Sequence, residues 1–99
     1  MLNIQKTAAN GQLVLALEGR LDTATAPALE EELNASLAGV TSLVLDMTAL
    51  EYISSAGLRV LLSAQKVMNR QGSMKLCRVN ETIMEILEVT GFTDILTIE

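Results

Sequence analysis

The apolar residues of this chain change period several times, and each change marks a predicted element. Leu13, Leu15 and Leu17 alternate with Gln12, Val14, Ala16 and Glu18. That period of two predicts a strand over 12–18 with one deeply buried face and one less buried. An Asn10-Gly11 pair separates it from a first stretch, Leu2 to Ala8. Asn-Gly between two alternating runs predicts a hairpin. Near Thr25 the spacing lengthens, and Leu29, Leu33 and Leu37 recur every four residues, as on one face of a helix. Pro27 falls in its first turn, where a missing N–H costs nothing. Glu30, Glu31 and Glu32 fall early, where acids suit the helix dipole, and Gly39 closes the helix.

The next run, Leu43-Val44-Leu45, is apolar without alternation. It predicts a central strand, Ser42 to Asp46, covered on both faces. A short polar link leads to Ser54-Ser55 and a second helix, from about Ser54 to Arg70, with Leu58, Leu61, Leu62 and Val67-Met68 as its buried stripe. Ser73 to Val79 is a further strand. Asn80 is a good N-cap for a third helix that turns Ile83, Ile86 and Leu87 inward, with Gly91 past its end. Phe92 to Ile98 ends the chain as a short helical turn or an edge strand.

Strands joined by helices require parallel pairing with right-handed crossovers, and the initial hairpin adds an antiparallel edge. The fold class is therefore α/β: a mixed sheet of four to five strands packed against three to four helices. Ninety-nine residues, 49% of them hydrophobic, suit one domain spanning 1–99 with a compact core. With 2% aromatics, that core is built from Leu, Val, Ile, Ala and Met; Met47, Met68, Met74 and Met84 read as core filler. No apolar run approaches the ~18–20 residues that span a bilayer. Met-Leu-Asn-Ile-Gln-Lys-Thr lacks the basic-then-apolar pattern of a signal peptide. Cys77 is the only cysteine and is expected as a buried thiol in a reducing compartment.

Charge and chemistry narrow the function. The net charge is −5 and histidine is absent. An acidic balance disfavours nucleic acid, whose affinity rests largely on phosphate neutralisation. Without histidine there is no imidazole acid or base. One cysteine leaves a zinc site only carboxylates, so neither a metal nor any other cofactor is expected. Ser54 and Ser55 are the informative pair. One of them serves as the helix N-cap. Two exceed what a cap requires, and a helix N-terminus with free N–H groups favours a phosphate. Asp46 ends the strand and caps the following link. Asp22 is either a turn former or a group that lies near the serines and orients a hydroxyl. Arg59 lies one turn beyond Ser55, and Tyr52 either docks a partner or covers the core edge.

Three stretches, in order and without a large insertion, resemble the STAS domain family in its bacterial anti-sigma factor antagonist branch. They are Glu18-Gly19-Arg20-Leu21-Asp22-Thr23-Ala24-Thr25-Ala26-Pro27; Val44-Leu45-Asp46-Met47-Thr48 with Tyr52-Ile53-Ser54-Ser55-Ala56-Gly57-Leu58; and Leu87-Glu88-Val89-Thr90-Gly91-Phe92. The resemblance implies a non-enzymatic cytoplasmic protein in a partner-switching cycle. Unphosphorylated, it binds an anti-sigma factor that is also a serine kinase; phosphorylated at Ser55, it is released; a serine phosphatase restores binding. Ser55 matches the family's phosphorylated serine, with Ser54 a second possible acceptor where the family often has Asp. The implied partner surface comprises Asp22, Thr23, Ile53, Ser54, Ala56, Gly57, Leu58 and Arg59. Two other readings keep the fold: a STAS subunit of a lipid or anion transport complex, and a nucleotide-sensing STAS module.

Overall fold

A computed structural model describes residues 1–99. Strands β1 (Leu2–Ala9) and β2 (Gln12–Leu21) lead to helix α1 (Ala26–Ser36). Strand β3 (Ser42–Ile53), helix α2 (Ser55–Gln71), strand β4 (Ser73–Cys77) and helix α3 (Glu81–Val89) follow, and a single 3-10 turn spans Phe92–Asp94. The sheet order is β1-β2-β3-β4. β1 runs antiparallel to β2; β3 and β4 are parallel to it and to each other. Asn10 and Gly11 both take positive φ, the geometry of a type I′ hairpin turn. The tail makes one further bridge, Ile98 beside Leu76, so it supplies both the helical turn and a trace of an edge strand.

Both crossovers, β2–α1–β3 and β3–α2–β4, step across the sheet in the same direction. Right-handed connections then put both helices on the same face. The core lies between that face and the helices: Leu13, Leu15, Leu17 and Leu21 from β2, Leu43, Leu45, Met47, Leu50 and Ile53 from β3, Leu29 and Leu33 from α1, Leu61 and Met68 from α2, Ile83 and Leu87 from α3. Val44 corrects the expectation of two covered faces. It points away from the core and is buried between its register neighbours Val14 and Lys75, with no helix over it. Val67 is 40% exposed rather than part of the α2 stripe, and Cys77 is half-buried. Glu30, Glu31 and Glu32 lie beyond the first turn of α1.

The largest departure is in the paired strands β2 and β3. Both run well past their expected ends at Glu18 and Asp46, and the segment that reads as a polar link is strand. Pairing continues from Glu18 opposite Ala49 to Leu21 opposite Ile53, with two register shifts, each inserting an extra residue in β3. A bulge reverses the facing of the residues beyond it. Two of them bring Leu50 and Ile53 onto the face that Leu43, Leu45 and Met47 hold by ordinary alternation, all five at most 2% exposed. The spacing of three is the imprint of those bulges.

The junction between α2 and β4 is tight. Gly72 has an extended backbone, and a Cβ there would overlap the Thr41 carbonyl, which accepts the Ser73 N–H at 3.0 Å. Gln71 Nε2 donates to the Leu37 and Val40 carbonyls, both at 2.7 Å. Overpacking against immobile backbone costs about 1–3 kcal/mol. Gly72→Ala is therefore expected to lower the unfolding free energy by that much, read as a lower urea midpoint at unchanged slope. A midpoint within error of the parent would show that the junction yields.

Candidate functional site

The site is assembled where β2 and β3 end together. Leu21 closes β2, and its carbonyl accepts the Ser54 N–H at 2.9 Å. That bond ties the start of α2 to the loop after β2. Ser54 has extended backbone and is the N-cap, its Oγ accepting the Gly57 N–H at 3.4 Å. Ser55 is the first helical residue and is exposed. The pair thus divides its work: Ser54 is half-buried and engaged, and Ser55 presents its hydroxyl to solvent.

Gly57 explains how closely the helix approaches. A Cβ there would lie 2.7 Å from Leu21 Cγ and 3.0 Å from Ile53 Cγ1. Ile53, Gly57 and Leu58 all face the core, which corrects their assignment to a contact surface. They position the site from beneath. The accessible part consists of Asp22, Thr23, Ser54, Ser55, Ala56 and Arg59, with Thr23, Ser55 and Arg59 the most open.

The Asp22 loop is held by its own hydrogen bonds. Asp22 Oδ1 accepts the Ala24 N–H at 3.0 Å and the Thr25 N–H at 3.1 Å. The Thr25 hydroxyl accepts the Asp22 N–H at 2.8 Å and donates to the Arg20 carbonyl at 2.8 Å. Partial desolvation works against the Asp22 charge, but the bonds from Thr25 and Ala24, with Arg20 nearby, outweigh it and hold the carboxyl below its usual range. Arg20 lies 3.8 Å from Asp22 Oδ2 and 4.5 Å above the Tyr52 ring centroid. Arg20, Tyr52 and Thr25 therefore belong to the loop's framework. Thr25 is visible in the sequence only as a helix start, and the stacking of Arg20 on Tyr52 depends on the bulged register that sets the two side by side.

Asp46 lies within β3 rather than at its end. Its Oδ1 accepts the Thr48 hydroxyl at 2.6 Å and the Thr48 N–H at 3.0 Å, across the first bulge. These bonds from Thr48, helped by Arg78 at 3.6 Å, hold its carboxyl low. Its role is to fix the bulge that carries β3 on to Ser54. Asn80 secures the second half of β3: Nδ2 donates to the Leu50 carbonyl at 2.8 Å while Oδ1 caps α3 through the Ile83 N–H at 2.9 Å. No group of His, Cys, Asp and Glu side chains is placed to hold a metal ion, and no helix is long and apolar enough to cross a membrane.

The family model described as the STAS domain matches residues 3–99. BtrV of Bordetella bronchiseptica, a candidate anti-sigma factor antagonist, is 42% identical over 88 residues, covering 87% of this chain and 76% of its own. The anti-sigma F factor antagonist of Paenibacillus polymyxa is 28% identical over 100 residues, covering 98% of this chain and 86% of its own. Among solved structures, an anti-sigma factor antagonist from Mycobacterium paratuberculosis has a TM-score of 0.89 at 23% identity, covering 99% of this chain and 85% of that one. The phosphorylated form of the Bacillus cell fate determinant SpoIIAA has a TM-score of 0.74 at 15% identity, covering 100% and 91%. At those identities the two structures establish a common fold.

Asp22 and Asp46 give the fold a defined acid response. Both titrate lower when folded than an unfolded aspartate does. Their stabilisation is complete above the ordinary carboxylate value of about 4 and is lost as pH falls through the depressed folded values. Thermal stability is expected to be level from about pH 7 to 5 and to fall below about pH 4. Asp46→Asn, which cannot titrate, should flatten that acid limb. An unchanged limb would remove Asp46 from the account.

Proposed function

We propose that the chain, which belongs to the STAS domain family, is an anti-sigma factor antagonist switched by phosphorylation of Ser55. One observation carries the assignment of the acceptor. Ser55 is exposed at the first position of α2, and the neighbouring cap role is taken by Ser54. The role itself is supported by relatives named as antagonists along most of their length.

In this reading the unphosphorylated surface binds an anti-sigma factor that is also a serine kinase. Small and polar residues there, Thr23, Ser54, Ser55 and Ala56, permit close approach, and Arg59 stands at the rim. The protein performs no catalysis of its own. Transfer moves the γ-phosphoryl of ATP to the Ser55 oxygen, the hydroxyl proton leaves to the kinase, and ADP departs. The phosphate brings about −1.5 to −2 charges. The N–H groups and dipole of α2 favour an anion at that point, so the fold is expected to absorb it. A packed partner could not, because the charge would have to be desolvated against it. Binding is lost without unfolding, and a serine phosphatase resets the cycle. The setting is the cytoplasm, where sigma factors act.

The same fold could serve a lipid or anion transport complex or sense a nucleotide, and one experiment separates these. Ser55→Ala and Ser55→Asp are titrated against the anti-sigma factors encoded in the same genome. Ser55→Ala should bind as the parent does and resist phosphorylation by intact mass. Ser55→Asp should bind at least tenfold more weakly. Ser54→Ala should still accept one phosphate while losing about 0.5–2 kcal/mol of stability as a cap is removed. Equal affinity for the Ser55→Ala and Ser55→Asp variants would sink the assignment.

A further inference from the structure

The chain carries seven lysines and arginines against twelve acids, so each base could find a partner. Four do: Lys6 with Glu32, Arg20 with Asp22, Lys75 with Glu99 and Arg78 with Asp46. The three that do not are Arg59, Lys66 and Arg70. All three are exposed, and all lie on α2, which contains no acidic residue. Helix α2 thus carries +3 and the remainder of the chain −8, giving the net −5.

Their spacing gathers them. At about 100° per residue, positions 59, 66 and 70 fall within about 40° of one another around the helix axis. The buried residues Gly57, Leu61, Ala64 and Met68 occupy the opposite side. Ser55 and Ser63, both exposed, lie on the charged side too. The result is a positive line about 16 Å long from Arg59 to Arg70, with Ser55 at its head about 6 Å before Arg59.

The line does not serve the helix. Lys66 and Arg70 are four apart and repel each other, a loss of about 0.2–0.5 kcal/mol. Arg59 is in the N-terminal half, where the dipole disfavours a cation; only Arg70, in the last turn, gains from it. A surface that costs its own helix and leaves every base unpaired, in an otherwise acidic molecule, is built for a negative counterpart.

We propose that the exposed face of α2 from Ser55 to Arg70 is an electrostatic docking strip for an acidic ridge on the anti-sigma factor. This rests on the function proposed above and adds the partner's chemistry and the site's regulation. The strip speeds encounter, because opposite charges steer association. It also sharpens the switch. A phosphate on Ser55 is four residues from Arg59, within reach of its guanidinium. It neutralises the head of the strip and sets like charge against the partner's acids.

The test compares association rates for the full chain and two triple variants with the anti-sigma factor from the same genome that binds the parent most tightly. Arg59→Gln/Lys66→Gln/Arg70→Gln removes the strip. Lys6→Gln/Lys75→Gln/Gln5→Glu makes the same change in net charge elsewhere, Gln5 being exposed on the edge strand β1. At about 50 mM salt the strip variant should associate at least tenfold more slowly and lose most of its salt dependence, while the control stays within about threefold of the parent. Equal losses in the two variants, or none in the strip variant, would overturn the strip while leaving the antagonist reading intact. A parent chain that binds no anti-sigma factor would overturn both. Strip-dependent binding to vesicles containing phosphatidylserine, with anti-sigma factor kinetics untouched, would assign the strip to a membrane surface and overturn the proposal.

Discussion

The structure turns on the contact between the start of α2 and the joint end of β2 and β3. Leu21 accepts the Ser54 N–H, and its side chain fills the space that Gly57 leaves vacant. This contact sets where the helix begins, how near it approaches the sheet and which of two serines is spent as a cap. The elements around it are arranged to deliver those residues. Two bulges in β3, one fixed by the Asp46–Thr48 bonds and the other beside the Leu50 carbonyl held by Asn80, bring Ile53 inward at the right register. The Asp22–Thr25 bonds hold the loop that leaves Leu21. Loss of the contact would release both halves of the site at once.

Much of this is legible in the sequence, and the part that is not has a definite cause. Asn10-Gly11, the four-residue spacing of Leu29, Leu33 and Leu37, and the Asn80 cap each act locally, so the sequence alone declares them. The stretch from Met47 to Ile53 does not act locally. Its apolar residues recur every three, a period belonging to neither strand nor helix. It becomes a strand only because β2 offers a partner and two extra residues are absorbed as bulges. Parallel bulges are uncommon, and no short-range signal announces them.

The same cause explains the error in the candidate surface. Ile53, Gly57 and Leu58 stand beside Ser55 in sequence, and a motif read as a string makes them contacts. A helix separates neighbours by about 100°, and the register of β3 turns Ile53 inward. All three support the site from the core side. What the string hides on the other side is charge: Arg59, Lys66 and Arg70 are dispersed along the helix and read as ordinary solvated bases until the ion pairs of the remaining four are seen.

The two faces of α2 therefore carry separate duties. Its inner face holds Leu58, Leu61, Ala64 and Met68 in the core, and its outer face makes no internal ion pair. A modification at the head of the outer face need not be transmitted through packing, since the helix already presents it. Globular cores resist small displacements and shift only between discrete arrangements, so a switch acting through the core would have to move whole elements. A switch written in surface charge needs no such movement. Under the proposed switch it would change what an incoming partner meets and leave the buried contacts around Leu21 and Gly57 in place. In the proposed cycle, that separation would allow one small domain to be both stable and reversibly switched at the same site.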